Sequence, residues 1–408
     1  MEFRPILSSL RKHRIPALLI VVEIALACAV LCNAVFMISQ RLAVIHLPNG
    51  LDERGLAVVS VHGTDDKLAG SDIPRNLAAL RGIPGVQAAA VASTLPLSQN
   101  NWGWSFGTSP DANLRNKSVN MSLYFLGRGA DQALGLQLLE GRFFNDAELA
   151  GSAFGTAPLP ETHAVILTKR LADELWPGQS ALGKTMYSNP YYYTVVGVTR
   201  DILRPWIGNT ADKHAYFSAL FPMSAAGSKG TLGNYLVRSA PGDRDRVLRQ
   251  AEQVLGDLNP EAVTKGTTYT DIRDKYFADT RSMAWMLVLV CAVMLAVTAF
   301  GIVGLASFWV RQRRRQIGIR RAVGATRAHI RRYFQTENFL LSLIGVTLGM
   351  ALAYGINLYL MQHYEMERMP WYFLPVGAAA LWLIGQLAVL GPALRAAAVP
   401  PVVATRSV

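Results

Sequence analysis

The apolar positions of the chain concentrate in four long runs, at residues 15–40, 283–310, 337–360 and 371–394. Each run reaches the roughly 20 residues that a helix needs to cross the hydrocarbon core of a bilayer. In the second run, Trp285 and Trp309 would lie about 36 Å apart along a helix that rises about 1.5 Å per residue. That separation puts one indole near each membrane interface, where Trp is favoured. The pattern predicts four transmembrane helices.

The first apolar run has a second possible interpretation, a cleaved signal peptide. Arg11, Lys12 and Arg14 form a basic lead before it, as in secretory signals. The apolar core is long, no small-residue cleavage site follows it, and Cys28 and Cys32 have no lipobox ahead of them. These flanks favour a retained helix.

Residues 41–282 are too long for a loop, and their alternating and helical apolar patterns predict an α/β domain. Two β-α-β parts, at about 55–92 and 232–271, flank an insertion at about 95–230. The charged stretch 271–282 has no helix breaker, so it is predicted to extend the second membrane helix outward as a stalk. The predicted elements are strands at 55–62, 85–92, 191–198, 234–237 and 267–271 and helices at 73–80, 169–175 and 243–255.

Charge sets the expected orientation. Only 17% of residues are charged, below the roughly 25% of soluble domains, yet the net charge is +12. Residues 311–332 hold nine arginines and no acid, whereas 41–282 hold 24 basic and 23 acidic residues. Because basic loops stay in the cytoplasm, residues 311–336 should be cytoplasmic. The termini, 1–14 and 395–408, should share that side, and residues 41–282 and the short loop 361–370 should be periplasmic.

The sequence contains few motifs that would indicate catalysis. Residues Gly178–Thr185 match the phosphate-binding pattern G-x-x-x-x-G-K-[ST], but a helical run precedes them and strand-forming tyrosines follow. A true phosphate loop opens a helix, so we interpret this match as a decoy. No two of the seven histidines have metal-ligand spacing, and no G-x-S-x-G motif occurs. No catalytic, cofactor or metal site is predicted. Nucleic-acid binding is disfavoured because the arginines are tethered between two membrane spans.

Polar and small residues inside the spans are further candidates. Glu23 and Asn33 lie within the first span, where an ionisable or amide group is either functional or packed against the bundle. Gly345 and Gly349 form G-x-x-x-G, continued by Ala353, which permits close helix approach. The sequence leaves open whether this stripe packs within one subunit or between two.

The arginine-rich stretch carries a family resemblance. Residues 311–325 read RQRRRQIGIRRAVGA and resemble the signature of FtsX-like permeases of the MacB type, approximately R-x-R-E-I-G-I-R-x-A-L-G-A. Further similar segments are LEGRFF at 139–144, AVILTKRLADELWPGQSALGK at 164–184 and YTVVGVTRD at 193–201. The resemblance covers essentially the whole chain. It implies a four-helix membrane protein of the bacterial inner membrane whose periplasmic α/β domain has Porter- and Sabre-like subdomains.

The same resemblance implies how such a chain works. It would be the non-catalytic permease subunit of an ABC transporter, paired with a second permease copy as a homodimer or heterodimer and driven by a separate cytoplasmic ATPase. ATP-driven motion would be relayed to the periplasm for efflux of a peptide, lipid or toxic small molecule, with a periplasmic adaptor as a possible partner. The alternative is a scaffold that activates a periplasmic enzyme such as a cell-wall hydrolase. The residues implied in ATPase coupling are Gln316, Ile317, Gly318, Arg320, Arg321, Ala322, Gly324 and Ala325.

One position departs from the family pattern. Gln316 stands where the family usually has Glu. Glutamine keeps the shape and the hydrogen-bonding capacity of the side chain but carries no charge. Pairing between this position and a cation of the ATPase is therefore in doubt.

Overall fold

The computed structural model describes residues 14–63, 68–110, 118–153, 158–208, 213–224, 234–364 and 368–400. These residues form two compact units. The first, the membrane unit, comprises the described residues up to Leu42 and from Arg281 onward. The second, the α/β domain, is Ala43–Thr280. Most of the predicted cytoplasmic ends lies outside the described residues, as do residues 365–367 of the predicted short loop.

Helices account for most of the membrane unit and for shorter segments of the α/β domain. In chain order they are α1 Arg14–Ile45, α2 Ala69–Arg81, α3 Ala130–Leu134, α4 Asp146–Ala150, α5 Lys169–Leu175, α6 Arg244–Leu258, α7 Tyr269–Tyr276, α8 Ala278–Gln312, α9 Arg314–Ala322, α10 Arg327–Tyr364 and α11 Phe373–Ala397.

All strands of the described residues belong to one sheet in the α/β domain. They are β1 Leu56–His62, β2 Val86–Ala92, β3 Gly103–Phe106, β4 Val119–Leu126, β5 Leu138–Gly141, β6 Ala164–Thr168, β7 Thr185–Ser188, β8 Tyr191–Thr199, β9 Ser218–Pro222, β10 Asn234–Ser239 and β11 Val263–Thr268.

Four of the helices, α1, α8, α10 and α11, are long and apolar enough to cross a membrane. This confirms the predicted fold class of four membrane helices with an α/β domain inserted between the first two. Three of the helices extend well past the predicted spans, because α1, α8 and α10 have 32, 35 and 38 residues. At about 1.5 Å per residue, each exceeds the roughly 30 Å hydrocarbon thickness.

The region between the second and third spans differs from the prediction. Residues 311–334 contain no proline, and the spacing of their apolar residues predicts one short helix lying at the membrane surface. Instead the segment is divided between α9 and α10, and Ile330 and Phe334 belong to α10. The break lies at Gly324, whose φ of +103° is a conformation that favours glycine. Thr326 then caps α10, since its hydroxyl accepts a hydrogen bond of 3.2 Å from the His329 N–H.

The predicted stalk is also interrupted, and the last predicted strand, 267–271, is displaced from β11, which begins at Val263 and ends at Thr268. Residues 269–271 are helical rather than extended, because the Thr268 hydroxyl accepts a 3.1 Å hydrogen bond from the Asp271 N–H and starts α7. The stalk helix then breaks at Phe277, between α7 and α8. Phe277 is buried in a cluster with Val44 and Leu203, so tertiary packing fixes the break.

Helix α1 lies at the centre of the membrane unit. In its most apolar stretch 56% of the residues are buried, against 17% in α8, 33% in α10 and 28% in α11. Glycines on the neighbours allow this packing. A Cβ added at Gly377 of α11 would lie 2.5 Å from the sulfur of Cys32, so the α11 backbone approaches α1 closely.

The small-residue stripe of α10 packs on α1 within the same chain. A Cβ at Gly345 would lie 2.8 Å from side-chain carbons of Ile24, and one at Gly349 would lie 2.5 Å from the Cys28 Cβ. Ala353, the third member, is fully buried. Small residues at these positions let two backbones come together, which is how helices gain packing energy in lipid.

The sheet of the α/β domain has two halves. Its strand order is β11-β1-β10-β2-β4-β9-β6-β8-β5, with β3 on β4 and β7 on β8. In the first four strands, β10 lies between β1 and β2, and β1 lies between β10 and β11, with antiparallel pairing throughout. Two split β-α-β units therefore interlock, as in ferredoxin-like folds. The strands from β4 onward come from the inserted segment.

Both faces of the sheet are covered. Along β4, Leu123 and Phe125 belong to one hydrophobic cluster, whereas Tyr124 and Leu126 belong to another. Successive side chains of a strand point to opposite faces, so the two clusters lie on opposite sides of the sheet. Burial raises the pKa of Tyr124 well above its usual value, and its hydroxyl donates a 2.6 Å hydrogen bond to the Leu203 carbonyl.

The segment after β5 is held by an ion pair inside a capping box. The Arg142 guanidinium donates to both carboxylate oxygens of Glu148, at 2.8 and 2.7 Å. The Asn145 side chain accepts from the Glu148 N–H, and the Glu148 carboxylate accepts from the Asn145 N–H. The hydrogen bond from Arg142 lowers the pKa of Glu148, and burial opposes this shift.

We expect Gly349→Ala to destabilise the membrane unit, because its Cβ would meet Cys28 and the Ala25 carbonyl. Overpacking of this kind costs about 1–3 kcal/mol. The matched control is Gly355→Ala on the same helix, where no atom lies within 4 Å of the added Cβ. Thermal melting of the detergent-solubilised chain should show a lower Tm for Gly349→Ala only. Equal melting of both variants would contradict the packing assignment.

We expect Glu148→Gln to change the pH dependence of stability. Because the folded-state pKa of Glu148 is lowered, its stabilisation is present above the unfolded-state pKa and is lost as pH falls through the folded-state pKa. The variant should be less stable by about 1 kcal/mol at pH 7, and the difference should vanish in acid. Melting of both chains from pH 7 to pH 3 measures this. Asp146→Asn, which alters a more exposed carboxylate, is the control.

Candidate functional site

The arginine-rich elbow, residues 311–326, is the strongest candidate for a functional site. It consists of the end of α8, helix α9 and the turn around Gly324 that leads into α10. Neighbouring arginines repel one another. The geometry of the elbow therefore depends on which carboxylate or carbonyl groups compensate their charges.

A buried ion pair fixes the start of the elbow. Nη1 of Arg313 donates to both carboxylate oxygens of Glu337 on α10, at 3.0 Å each. The two side chains are only 8% and 2% exposed. The Arg313 guanidinium also lies 5.6 Å from the ring centroid of Trp309, within cation–π range. A buried pair adds little net stability, but removing one partner leaves an uncompensated charge.

Arg321 fixes the other end of α9. Its Nη1 donates to the carbonyl oxygens of Ala397 and Val399, at 3.2 and 2.8 Å. These carbonyls lie at the end of α11, where a helix presents unsatisfied acceptors and partial negative charge. The short helix α9 is thus attached to α10 at one end and to α11 at the other.

The eight predicted coupling residues fall into three groups by burial. Ile317 and Gly318 are buried, so they attach α9 to the membrane unit. Gln316, Arg320, Ala322 and Gly324 are exposed, and Arg321 and Ala325 are partly buried. The Arg320 guanidinium lies 4.9 Å from the ring centroid of Tyr333.

Two aliphatic side chains are part of the exposed surface of the elbow. Ile319 is 49% exposed and Val323 is 83% exposed, one helical turn apart. Exposed cations around a small apolar surface fit a protein partner with an acidic rim and an apolar pocket.

Sequence reasoning missed Arg313 and Glu337 as a pair. Glu337 begins the predicted third span, and Arg313 is one of nine arginines, so the pairing was not visible locally. A signal existed: Glu337 is the first acidic residue after the arginine run. An acid at a membrane boundary next to many cations is a candidate for a buried pair.

The polar residues predicted in the first span both contact neighbouring helices. A Cβ at Gly301 of α8 would lie 2.3 Å from Oε1 of Glu23, so the carboxylate rests against a glycine. Nδ2 of Asn33 donates to the Ala353 carbonyl on α10 at 3.1 Å and to the Ala29 carbonyl at 2.9 Å. Asn33 therefore joins α1 to α10.

The phosphate-loop match at Gly178–Thr185 lies in the α/β domain. It follows α5 and leads into β7 rather than into a helix. Both of its glycines have positive φ, +71° and +76°, as expected in a turn. The Lys184 ammonium donates to the Gln179 side chain. Among the described residues, no group of three or more His, Cys, Asp or Glu side chains has metal-binding geometry.

We expect Arg313→Ala to destabilise the membrane unit by about 3–5 kcal/mol, because it leaves Glu337 buried and unpaired. Arg315→Ala, which removes an exposed arginine of the same elbow, should change stability by less than about 0.5 kcal/mol. The double variant Arg313→Met/Glu337→Leu should recover most of the loss. Thermal melting of the solubilised chain is the measurement. Equal effects of the two single variants would show that the buried pair is not a constraint.

Two family models match the chain. The model of the MacB-like periplasmic core domain matches residues 23–254, and that of the FtsX-like permease C-terminal region matches residues 288–401. The chain is 26% identical over 340 residues to the macrolide export ATP-binding/permease protein MacB of Sodalis glossinidius, covering 79% of this chain and 49% of that protein. The chain thus spans about half the length of that relative.

Two further proteins are similar to parts of the chain. The uncharacterized ABC transporter permease YknZ of Bacillus subtilis is 23% identical over 287 residues, covering 68% of this chain and 64% of that protein. The crystal structure of the periplasmic region of MacB from Actinobacillus actinomycetemcomitans aligns with 55% of this chain and 94% of that one, at 17% identity and a TM-score of 0.37. Since the core-domain model alone covers more than half of the residues, the chain belongs to the MacB-type family of FtsX-like ABC transporter permeases.

Proposed function

We propose that this chain is the non-catalytic permease subunit of an ABC transporter whose ATPase is a separate cytoplasmic protein. The ATPase would bind the elbow, and two permease copies would move together when ATP is bound and hydrolysed. That motion would be relayed to the periplasm and would drive efflux of a peptide, lipid or toxic small molecule. Family membership supports the general role, and the elbow geometry supports the coupling.

The attachment of α9 at both ends is the observation that carries the proposal. Arg313 connects the start of the elbow to Glu337 on α10, and Arg321 connects α9 to the last carbonyl of α11 and to one just beyond it. A force on α9 would therefore move two membrane helices rather than bend a loose loop. Without such contacts, a surface helix would absorb the motion of its partner.

The outer surface of the elbow suggests the chemistry of the ATPase contact. Val323 and Ile319 would enter an apolar pocket, and the surrounding arginines would face acidic residues. Gln316 would contribute a neutral hydrogen-bonding group at the position where the resembled family pattern has Glu. Gln316 and the other exposed members of the predicted set remain proposed contacts.

The distribution of charge supports the proposed orientation. Nine arginines without an acid at 311–332 favour the cytoplasm, and the nearly neutral α/β domain favours the periplasm. With four spans, both termini would be cytoplasmic. The ATPase then meets the elbow on the side of the membrane where ATP is available.

Co-purification tests the proposed partner. The tagged chain, extracted gently from membranes, should recover an ABC ATPase and ATP hydrolysis. Val323→Ser should weaken recovery about tenfold, the loss that about 1.4 kcal/mol of binding energy produces. Val263→Ser, at a 70% exposed valine of the α/β domain, is the matched control. If the wild-type chain recovers no ATPase, the coupling proposal fails.

Cysteine labelling tests the proposed orientation. In a chain whose three native cysteines are replaced by alanine, Arg200→Cys and Arg315→Cys each introduce one exposed thiol. A membrane-impermeant maleimide should label Arg200→Cys in cells with a permeabilised outer membrane. It should label Arg315→Cys only after the inner membrane is opened. The reverse pattern would invert the topology and remove the ATPase contact.

A further inference from the structure

A cleft in the α/β domain lies where the two halves of the sheet meet. It is bounded by the start of β2, the loop after β4, helix α3 and the segment between β5 and α4. Its volume is about 460 Å³. That size is within the range of about 300–1,000 Å³ that is usual for small-molecule sites.

The base of the cleft is apolar. Leu126, Ile166 and Leu220 line it and belong to the hydrophobic cluster on that face of the sheet. Phe143 and Phe144, both half-buried, form a wall. These phenylalanines end the LEGRFF segment, whose hydrogen bonds between Arg142 and Glu148 hold the backbone beside them. The cleft therefore has a preformed surface for apolar side chains.

The edge of β2 is open toward the cleft. Strands β2 and β4 pair through a single residue pair, Ala92 with Leu126, and then diverge. The carbonyl of Val91 accepts from the Gly127 N–H, and the carbonyl of Ala89 accepts from the Arg81 side chain, so both point away from β10. In an antiparallel ladder, the N–H and C=O of one residue point to the same side. The Ala89 N–H therefore points toward the cleft.

The rim carries charges of both signs. Arg128 forms a 2.7 Å ion pair with Asp146, and both side chains are largely exposed. Asp131 and Arg81 also line the opening, and Gln132 adds an exposed amide. Two cations and two acids give no net charge, so the rim suits a ligand that carries both signs rather than a simple anion or cation.

We propose that this cleft binds a short peptide in an extended conformation. The peptide lies beside the start of β2, and one of its carbonyls accepts from the Ala89 N–H, as in strand addition. Alternate side chains of the peptide contact the apolar base. Its terminal ammonium and carboxylate meet the acids and arginines of the rim. This site goes beyond the proposed transport function, because binding requires neither the ATPase nor a second copy.

The test uses the full chain, purified in lipid nanodiscs without an ATPase. The probe is the tripeptide Phe-Ala-Leu with free termini, titrated by calorimetry, and octanoate is the comparison ligand with an apolar tail but no peptide group. Gln132→Trp fills the mouth of the cleft from an exposed position and should raise the Kd of the tripeptide at least about tenfold. Gln250→Trp, at an exposed glutamine of α6, should leave the Kd unchanged. Phe144→Ala, which shortens the aromatic wall, should also weaken binding.

Hydrogen exchange adds a readout specific to strand addition. The tripeptide should slow amide exchange in residues 86–92, whereas octanoate should not. Absence of tripeptide binding, equal Kd values for Gln132→Trp and the wild-type chain, or exchange that octanoate slows equally would overturn the proposal. Because the ATPase is absent, these results are independent of whether an ATPase co-purifies with the elbow.

Discussion

The membrane unit depends on how closely three helices approach α1. Lipid tails are as apolar as leucine, so burying apolar side chains gives helices little reason to associate in a bilayer. Packing contacts must supply the free energy of association. Glycines on α10 and α11 meet α1 where any side chain would clash, and a glycine on α8 faces the Glu23 carboxylate of α1. The central position of α1 follows, as does the exposure of apolar side chains on the outer helices.

The elbow is built on a different principle, the compensation of charge at the edge of the membrane. An arginine buried in the membrane unit needs a partner that compensates its charge. Arg313 has a carboxylate on α10, Arg321 has the terminal carbonyls of α11, and Arg320 has the face of Tyr333. The side chains that remain outward give the elbow its exposed cationic surface, and the partnered ones make α9 part of the helix bundle.

The sequence predicted what depends on local pattern and missed what depends on distant contacts. Hydropathy and charge predicted the four apolar helices, and alternation predicted β1, β2 and β8 to within a residue or two. The errors were at breaks: Phe277 is held by tertiary packing, and the turn at Gly324 depends on one glycine and the cap that follows it. The contacts of Arg313 and Arg321 cross 24 and more than 70 residues of sequence, so no local pattern contains them.

The α/β domain joins its halves through the shortest ladder in its sheet. Other neighbours, such as β1 with β10 and β4 with β9, share five residue pairs, whereas β2 and β4 share one. The hydrogen bonds of residues 91–93 with 125–127 reinforce that joint, but the strands separate on the side of the cleft. Counted in paired residues, this joint is the least connected place in the sheet of the described residues. A peptide that adds backbone hydrogen bonds to β2 would stiffen the joint, which links occupancy of the cleft to the mechanical state of the domain.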